Sequence, residues 1–270
     1  MNTLRLLLEP IHAFLAHLPD GTALAWKARA SDLEQLAQSI ATEHPLPAAS
    51  EVAKLIDHTL LKPEAGPAEI ERLSQEARRA SFAGVCVNSS QVARAEKVLA
   101  GSGVDVCAVV GFPLGAASTL AKCLEAAAAI EDGAREIDMV LSVGALRAAD
   151  YEDVARDIAA VAAVAHAGGA RLKVIFENSL LTPAQQAAAC LLAVAAGAEF
   201  VKTSTGFGAS GAKEEDVRRM RAIVGPGVGV KAAGGIRSRA DVERMVRAGA
   251  NRIGTSSGVK IMQEYGQGKA

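Results

Sequence analysis

The stretch that decides the fold class spans residues 228–257 and reads VGVKAAGGIRSRADVERMVRAGANRIGTSS. A short apolar run at Gly229–Ala232 precedes a helix-forming segment at Ser238–Ala248, and a second short run follows at Arg252–Gly254. Gly249, between the helix and the second run, can take the left-handed conformation that often ends helices. The pattern predicts strand, helix, strand, and strict alternation of this kind is typical of parallel sheets.

The same alternation extends back along the chain to about residue 52. The predicted strands are Lys54–Thr59, Gly84–Asn88, Asp105–Gly111, Glu136–Val143, Arg171–Glu177, Phe200–Ser204, Gly229–Ala232 and Arg252–Gly254. The predicted helices between them are Pro67–Ala80, Ser90–Ala100, Ser118–Asp132, Tyr151–His166, Thr182–Ala196, Lys213–Val224 and Ser238–Ala248. Eight units favour a closed barrel over an open sheet, so we predict an α/β protein with a single (β/α)8 TIM barrel over residues 51–270.

Residues 1–50 precede this pattern and form a separate predicted unit. Apolar residues recur at helical spacing through the first 18 positions, and a second helical stretch runs over Ser31–Thr42. Pro45 and Pro47 then indicate a linker. We predict a helical N-terminal extension that covers a barrel end or a subunit interface.

Composition excludes several function classes. The 270 residues carry 29 Lys+Arg against 30 Asp+Glu, and only 3% are aromatic. The excess of positive charge that is typical of nucleic-acid-binding proteins is therefore missing. No charge-free apolar run reaches the roughly 18 residues of a membrane span, and no apolar core of a signal peptide is present. The four cysteines form no C-x-x-C pair, which favours buried thiols in a reducing cytoplasm.

Charged residues occur within predicted strands, where a barrel interior should be apolar. Asp138, Lys202 and Lys231 each lie between two apolar neighbours. If those neighbours pack on the helices, the three charges point into the barrel, because side chains alternate faces along a strand. Asp57 and Lys173 lie on the first and fifth strands.

Two interior lysines beside one carboxylate point to a specific chemistry. A buried ammonium must find a partner or lose its proton. We expect Asp138 to pair with one of Lys202 and Lys231, and the other lysine to lose its proton more easily beside that cation. A neutral lysine amine attacks carbonyl carbons, so the pattern predicts Schiff-base formation.

Seven segments of the chain resemble the deoxyribose-phosphate aldolase family, in order over residues 52–260. The two lysine segments, EFVKTSTG at 199–206 and VGVKAAGGIR at 228–237, carry most of the resemblance. The others are LIDHTLL at 55–61, VCVN at 85–88, VGFPLG at 110–115, EIDMV at 136–140 and GTSSG at 254–258. Residues 1–50 lie outside the resemblance.

The resemblance implies a class I aldolase that uses neither metal nor cofactor. It would cleave 2-deoxy-D-ribose 5-phosphate reversibly to D-glyceraldehyde 3-phosphate and acetaldehyde. By their positions in the motifs, Lys202 is the Schiff-base nucleophile, Lys231 is the second cation and Asp138 transfers protons. Asp57 and Lys173 match polar positions near the family's site and are expected to form a supporting relay.

The phosphate end of the substrate is expected at the loops after strands 7 and 8. TIM barrels often bind phosphate there, with backbone N–H groups and the N-terminus of a short helix. The predicted phosphate-binding residues are Gly206, Gly234, Gly235, Gly254, Ser256 and Ser257. Some family members carry a lysine directly after Ser-Thr-Gly of strand 6, whereas this chain has Phe207. That difference removes one candidate cation from the phosphate end.

Other functions stay open from the residues alone. Another phosphosugar-processing barrel enzyme is the main alternative, either a Schiff-base aldolase with a different substrate or an isomerase with a carboxylate base. A barrel that only binds a phosphosugar is a third possibility, although it would not need both lysines. The five histidines show no metal-binding spacing, so we predict no metal site. The expected partners are phosphosugar and aldehyde substrates and a second copy of the chain, as a homodimer.

Overall fold

A computed structural model describes residues 43–267, and eight parallel strands form a closed barrel within them. Each strand pairs with the next in sequence, and the first also pairs with the eighth. The strands are β1 Ile56–Leu60, β2 Gly84–Asn88, β3 Asp105–Val110, β4 Glu136–Val140, β5 Arg171–Ile175, β6 Phe200–Lys202, β7 Gly229–Ala233 and β8 Arg252–Thr255. The predicted (β/α)8 barrel is therefore confirmed.

Helices surround the barrel and connect successive strands. They are α1 Pro67–Ala80, α2 Val92–Leu99, α3 Thr119–Glu131, α4 Val143–Arg147, α5 Tyr151–Ala167, α6 Pro183–Ala195, α7 Glu214–Val224, α8 Arg239–Arg247 and α9 Gly258–Gln267. Three short 3-10 turns cover Val52–Leu55, Ser89–Gln91 and Asn178–Leu180. No helix among the described residues has the length and apolar character needed to cross a membrane.

Local sequence signals explain where several helices begin and end. Thr182 caps α6 by accepting a hydrogen bond from Gln185 N at 3.3 Å, ahead of Pro183 at the first helical position. Gly133 and Gly249, which follow α3 and α8, have φ values of 111° and 108°. A side chain is strongly disfavoured at such φ, so glycine allows the chain to turn sharply into the next strand.

Seven of the eight strands differ from their predicted boundaries, and four of them differ by two or more residues. One of these is β5, which ends at Ile175 rather than at Glu177. The predicted first strand begins at Lys54, but a 3-10 turn occupies Val52–Leu55. The fourth predicted strand ends too late, because α4 begins at Val143. The sixth strand ends at Lys202, since Thr203 and Ser204 have already left the regular strand.

The N-terminal extension lies largely outside the described residues. Residues 43–50 within the structure contain no helix, which agrees with the predicted linker. His44 N donates a hydrogen bond to Arg247 O at 2.9 Å, so the linker lies against the end of α8. The predicted helices at residues 1–42 fall on positions that the structure does not describe.

The inside and outside of the barrel have opposite chemistry. Apolar residues of the strands, such as Val201 and Val230, are fully buried in the core that the helices cover. The alternate positions carry charges that are buried as well. These charged residues are Asp57, Glu136, Asp138, Lys173, Lys202, Lys231 and Arg252. Buried ions need partners, and the pairing among them defines the candidate site.

Candidate active site

Asp138 stands at the centre of the buried charges. Its Oδ2 lies 2.7 Å from Lys202 Nζ and 2.8 Å from Lys231 Nζ. Its Oδ1 lies 2.8 Å from Lys173 Nζ. One carboxylate thus contacts three lysine side-chain nitrogens, and none of these side chains is more than 3% exposed.

Strand register brings these residues together. Lys202 on β6 is the direct register partner of Lys231 on β7, and Asp138 on β4 is the partner of Lys173 on β5. The side chains project inward because their neighbours Val201 and Val230 take the outward positions. The expectation that Asp138, Lys202 and Lys231 point into the barrel is confirmed by these contacts.

One expectation about the lysines is wrong. Asp138 does not pair with a single lysine and leave the other beside it, because Oδ2 lies within 2.8 Å of both Lys202 and Lys231. A carboxylate oxygen has room for more than one donor, so both lysine nitrogens donate to it. Asp57 adds a second carboxylate, with Oδ2 2.5 Å from Lys231 Nζ.

The shared pairing determines the charge states of the site. Burial opposes the charged form of Asp138, but Lys173, Lys202 and Lys231 outweigh it and hold its pKa well below the usual range. Burial also opposes the charged form of Lys231, yet Asp138 and Asp57 raise its pKa well above the ordinary value. Asp138 is therefore an anion and Lys231 a cation at neutral pH.

A second layer of charges lies around the first, and sequence reasoning missed part of it. Arg252 Nη1 lies 2.7 Å from Asp57 Oδ1 and 3.1 Å from Glu136 Oε2. Glu136 Oε2 also lies 2.5 Å from Lys173 Nζ. Glu136 has the same strand parity as Asp138, and this signal could have identified it. Arg252 begins β8, where a charge is usually solvent-exposed, so the sequence carried no comparable signal.

Two thiols also contact the central carboxylate. Cys107 Sγ lies 3.0 Å from Asp138 Oδ1 and 3.3 Å from Lys173 Nζ, and Cys86 Sγ lies 3.9 Å from Asp138 Oδ2. Burial raises the pKa of Cys107, and its hydrogen bond with Cys86 adds to that effect. The same hydrogen bond lowers the pKa of Cys86 to about 7, against the effect of burial.

The loops at the carboxyl ends of β6, β7 and β8 carry the residues predicted to bind phosphate. Gly206, Gly234 and Gly235 have φ values of 87°, 90° and 79°, which a side chain would strain. Ser256 and Ser257 directly precede α9, so they lie at the N-terminus of a ten-residue helix. Helix N-termini attract anions through their free N–H groups and the helix dipole.

Gly254 lies within β8, in agreement with the predicted strand Arg252–Gly254. It pairs in register with Asp57 and Ala233. A Cβ atom at Gly254 would lie 3.2 Å from Lys231 Cε and 3.0 Å from Ala233 Cβ. Glycine at this position therefore leaves room for the Lys231 side chain.

Two aromatic rings connect the loops after β3 and β6. Phe112 and Phe207 make an edge-to-face contact with ring centroids 5.3 Å apart, and Phe207 remains 53% exposed. The loop after β6 is also fixed by Glu177, whose Oε2 accepts hydrogen bonds from Thr205 N at 3.2 Å and from Thr205 Oγ1. Phe207 thus places an apolar ring at the position where some family members carry a lysine.

The arrangement can support carbonyl chemistry at Lys202. An amine, a protonated ammonium and an ionised carboxylate within hydrogen-bonding distance provide a nucleophile, an acid and a base. His58 lies outside this group, because its Nε2 lies 2.8 Å from Glu76 Oε2 and its ring packs against Phe82. These contacts give His58 a structural role.

Comparisons with known proteins agree with this chemistry. The sequence profile of the DeoC/LacD family aldolases matches residues 51–264. A deoxyribose-phosphate aldolase of Geobacillus sp. is 54% identical over 212 residues, which cover 78% of this chain and 95% of that protein. One from Thermococcus gammatolerans is 54% identical over 215 residues, which cover 79% and 96%.

A solved structure agrees with both the fold and the sequence relationship. The deoxyribose phosphate aldolase from Aeropyrum pernix, described as a unique tetramer, superposes with a TM-score of 0.77. It is 34% identical, and the match covers 86% of this chain and 96% of that one. The family resemblance drawn from the sequence is confirmed, and this chain belongs to the DeoC/LacD family of aldolases.

Proposed function

We propose that this chain is a class I aldolase that reversibly cleaves 2-deoxy-D-ribose 5-phosphate to D-glyceraldehyde 3-phosphate and acetaldehyde. The observation that carries the proposal is the sharing of Asp138 by Lys202 and Lys231 at the centre of the barrel. Relatives that are 54% identical are deoxyribose-phosphate aldolases, and they suggest the substrate.

The cleavage begins at Lys202. Its neutral amine adds to the aldehyde carbon of the open-chain sugar, and loss of water from the carbinolamine leaves an iminium ion. The bond between the second and third carbons then breaks, its electron pair moves into the iminium to form an enamine, and the C3 hydroxyl loses its proton. Protonation of the enamine and addition of water release acetaldehyde and return the amine.

Asp138 and Lys231 handle the protons of these steps. Asp138 Oδ2 lies 2.7 Å from Lys202 Nζ, so an anion stands next to the nitrogen that becomes an iminium cation. Lys231 is held protonated by Asp138 and Asp57, which makes it an acid within reach of the same oxygen. A positioned acid and base typically contribute about 10²–10⁴-fold in rate.

Asp57 and Lys173 form the supporting relay. Asp57 Oδ2 contacts Lys231 Nζ at 2.5 Å, and Lys173 contacts the other oxygen of Asp138 at 2.8 Å. Asp57 thus holds Lys231, and Lys173 holds the oxygen of Asp138 that does not contact Lys202. We assign both residues a positioning role.

Phosphate binding is assigned to the loops after β6, β7 and β8. Gly206, Gly234 and Gly235 offer backbone N–H groups without side chains, while Ser256 and Ser257 add hydroxyl donors at the start of α9. Gly254 stays in the predicted set, although its place beside Lys231 favours a role in positioning that lysine.

An assay with the sugar phosphate tests the proposal against its alternatives. Incubation with 2-deoxy-D-ribose 5-phosphate should produce glyceraldehyde 3-phosphate and acetaldehyde in equal amounts. An isomerase would convert the sugar without releasing acetaldehyde, and an aldolase for a different substrate would leave this sugar unchanged. Either result would overturn the substrate assignment.

We further propose a cytoplasmic homodimer. All four cysteines are free thiols and three of them are buried, which suits a reducing compartment. Leu120 and Leu124 lie one turn apart on α3 and are 69% and 63% exposed, so this helix offers an apolar strip to a second copy. Light scattering of the purified chain should give twice the mass of 27.7 kDa, and Leu124→Glu should reduce it to one copy.

A further inference from the structure

The interior of the barrel is divided into a charged side and an apolar side. The buried charges around Asp138 come from β1 and from β4 to β8. An apolar cluster that is separate from the main core fills the side formed by β2 and β3, whose alternate residues pack outward on the helices. The cluster consists of Leu61, Cys86, Cys107, Val109 and Phe112. The charges and the apolar cluster therefore face each other inside one barrel.

The apolar cluster lies across the barrel from Lys202. In a closed barrel of eight strands, β6 stands opposite β2. Cys86 Sγ on β2 lies 3.9 Å from Asp138 Oδ2, the oxygen that Lys202 Nζ contacts at 2.7 Å. Val109 on β3 is the register partner of Asp138, so it lies at the same level as that carboxylate. The cluster thus borders the nitrogen that the proposed mechanism uses.

The part of the cluster that a bound molecule can touch is apolar. Leu61 and Val109 are 8% and 2% exposed, and Phe112 is half-buried. Asn88 is the register partner of Val109, and its side-chain amide donates a hydrogen bond to the backbone oxygen of Leu61 at 3.3 Å. Phe112 extends the apolar surface as far as Phe207, whose ring it contacts edge to face.

We propose that Leu61, Val109 and Phe112 form an apolar wall that selects aldehyde donors without a hydroxyl group next to the carbonyl carbon. This inference rests on the proposed function and names the residues that set its donor specificity. In 2-deoxy-D-ribose 5-phosphate, C1 becomes bonded to Lys202, and the C3 oxygen must reach Asp138 to lose its proton. Both carbon neighbours of C2 therefore lie on the charged side, and the two hydrogens of C2 point towards the wall.

The wall distinguishes substituents at C2 by their polarity. A hydroxyl group at C2 would leave water and meet side chains that cannot hydrogen-bond to it, which is unfavourable. A methyl group of similar size would lose no hydrogen bond there. Apolar pockets reject an analogue that only adds a hydroxyl group by about 10²-fold at most. We therefore expect the wall to favour a methyl over a hydroxyl group at C2 by about 10- to 100-fold.

Addition reactions with three donors test the wall in the unmodified chain. Acetaldehyde, propanal and glycolaldehyde are each incubated with glyceraldehyde 3-phosphate, and the products are quantified by mass spectrometry. Propanal and glycolaldehyde differ only in the methyl or hydroxyl group that C2 carries. We expect kcat/KM for propanal to exceed that for glycolaldehyde by about 10- to 100-fold. Propanal that reacts no faster than glycolaldehyde would overturn the proposal.

Val109→Thr adds a hydroxyl group to the wall at nearly the same volume. It should raise kcat/KM for glycolaldehyde relative to propanal by about three- to tenfold, the value of one hydrogen bond. The ratio of the two donors cancels any general loss of activity. Val194→Thr on the outer helix α6 is the matched control and should keep the wild-type ratio. An unchanged ratio in Val109→Thr would contradict the assignment of Val109 to the wall.

The acetaldehyde reaction separates this inference from the proposed function. If the wild type forms 2-deoxyribose 5-phosphate from acetaldehyde but uses glycolaldehyde as well as propanal, the proposed function stands and the wall is wrong. If acetaldehyde gives no product, the proposed function fails and the wall fails with it. The comparison of donors in the wild type decides between these outcomes even if Val109→Thr does not fold.

Discussion

Lys202 and Lys231 are register partners on neighbouring strands, and their side-chain nitrogens contact the same oxygen of Asp138 at 2.7 Å and 2.8 Å. Two lysines that share one carboxylate oxygen inside a barrel cannot be treated as independent pairs. Any change at Lys231 alters the electrostatic field at Lys202.

Replacement of Lys231 by leucine should impair Schiff-base formation. We expect Lys231→Leu to lower kcat/KM by about 10²–10⁴-fold, the range for loss of a positioned acid. Without the second ammonium, Asp138 serves Lys202 alone and stabilises its protonated form. The acid limb of the pH–rate profile should therefore move to higher pH.

Lys260→Leu is the matched control for this variant, because Lys260 lies exposed on α9. It should leave both the rate and the pH profile unchanged. If the acid limb of Lys231→Leu stays at the wild-type position, Lys231 is not the charge that tunes Lys202.

Asp57 should make the free energy of unfolding fall as the pH becomes acidic. Burial opposes its charge, but Lys231, Lys173 and Arg252 hold its pKa far below the usual range. A carboxyl whose pKa is depressed by folding stabilises the native state above its unfolded pKa of about 3.9, and this stability is lost as pH falls. Each such group changes the free energy of unfolding by about 1.4 kcal/mol per pH unit in that window.

Urea unfolding of Asp57→Asn at several pH values measures this effect. Between about pH 4 and pH 3 the variant should lose stability less steeply than the wild type, by about one proton. Asp132→Asn, at an exposed position after α3, should keep the wild-type slope. Equal slopes for wild type and Asp57→Asn would show that Asp57 is not ionised in the native state.

Gly254→Ala separates two roles for one glycine. The added methyl group would lie 3.2 Å from Lys231 Cε, so it should displace that side chain. We expect kcat to fall about tenfold with little change in KM for the sugar phosphate, as expected when a reacting group is misplaced. Gly227→Ala is the control, because a Cβ atom there meets nothing within 4 Å. A rise in KM with unchanged kcat would instead support the predicted phosphate contact.

Ser257→Ala tests the phosphate end. Loss of one hydroxyl donor at the start of α9 should raise KM for 2-deoxyribose 5-phosphate about three- to tenfold, the value of one hydrogen bond. The KM for 2-deoxyribose without phosphate should stay unchanged. Ser102→Ala, before β3 at the opposite end of the barrel, should change neither KM. Equal effects on both sugars would remove Ser257 from the phosphate site.

Much of the fold could be predicted from the sequence because segments with the two-residue period of strands alternate with segments that have the 3.6-residue period of helices. Inward positions at Asp138, Lys202 and Lys231 followed from their apolar neighbours, and the structure brings all three together. Parity along a strand predicts which face a residue occupies, but not which atoms meet across the barrel.

The remaining features depend on closure of the sheet. The shared oxygen of Asp138 and the contact of Arg252 with Glu136 join strands that do not follow one another in sequence. The register of β7 against β8 places Gly254 beside Lys231, where a glycine-rich segment alone indicated a phosphate loop. Strand stagger sets these contacts, and no local pattern encodes it.

Reductive trapping tests the central role of Lys202 most directly. The chain is incubated with acetaldehyde and sodium borohydride, digested, and mapped by mass spectrometry. We expect one N-ethyl-lysine at Lys202 in the wild type and none at this position in Lys202→Arg. No adduct, or an adduct that forms at Lys231 instead while Lys202 remains unmodified, would contradict it.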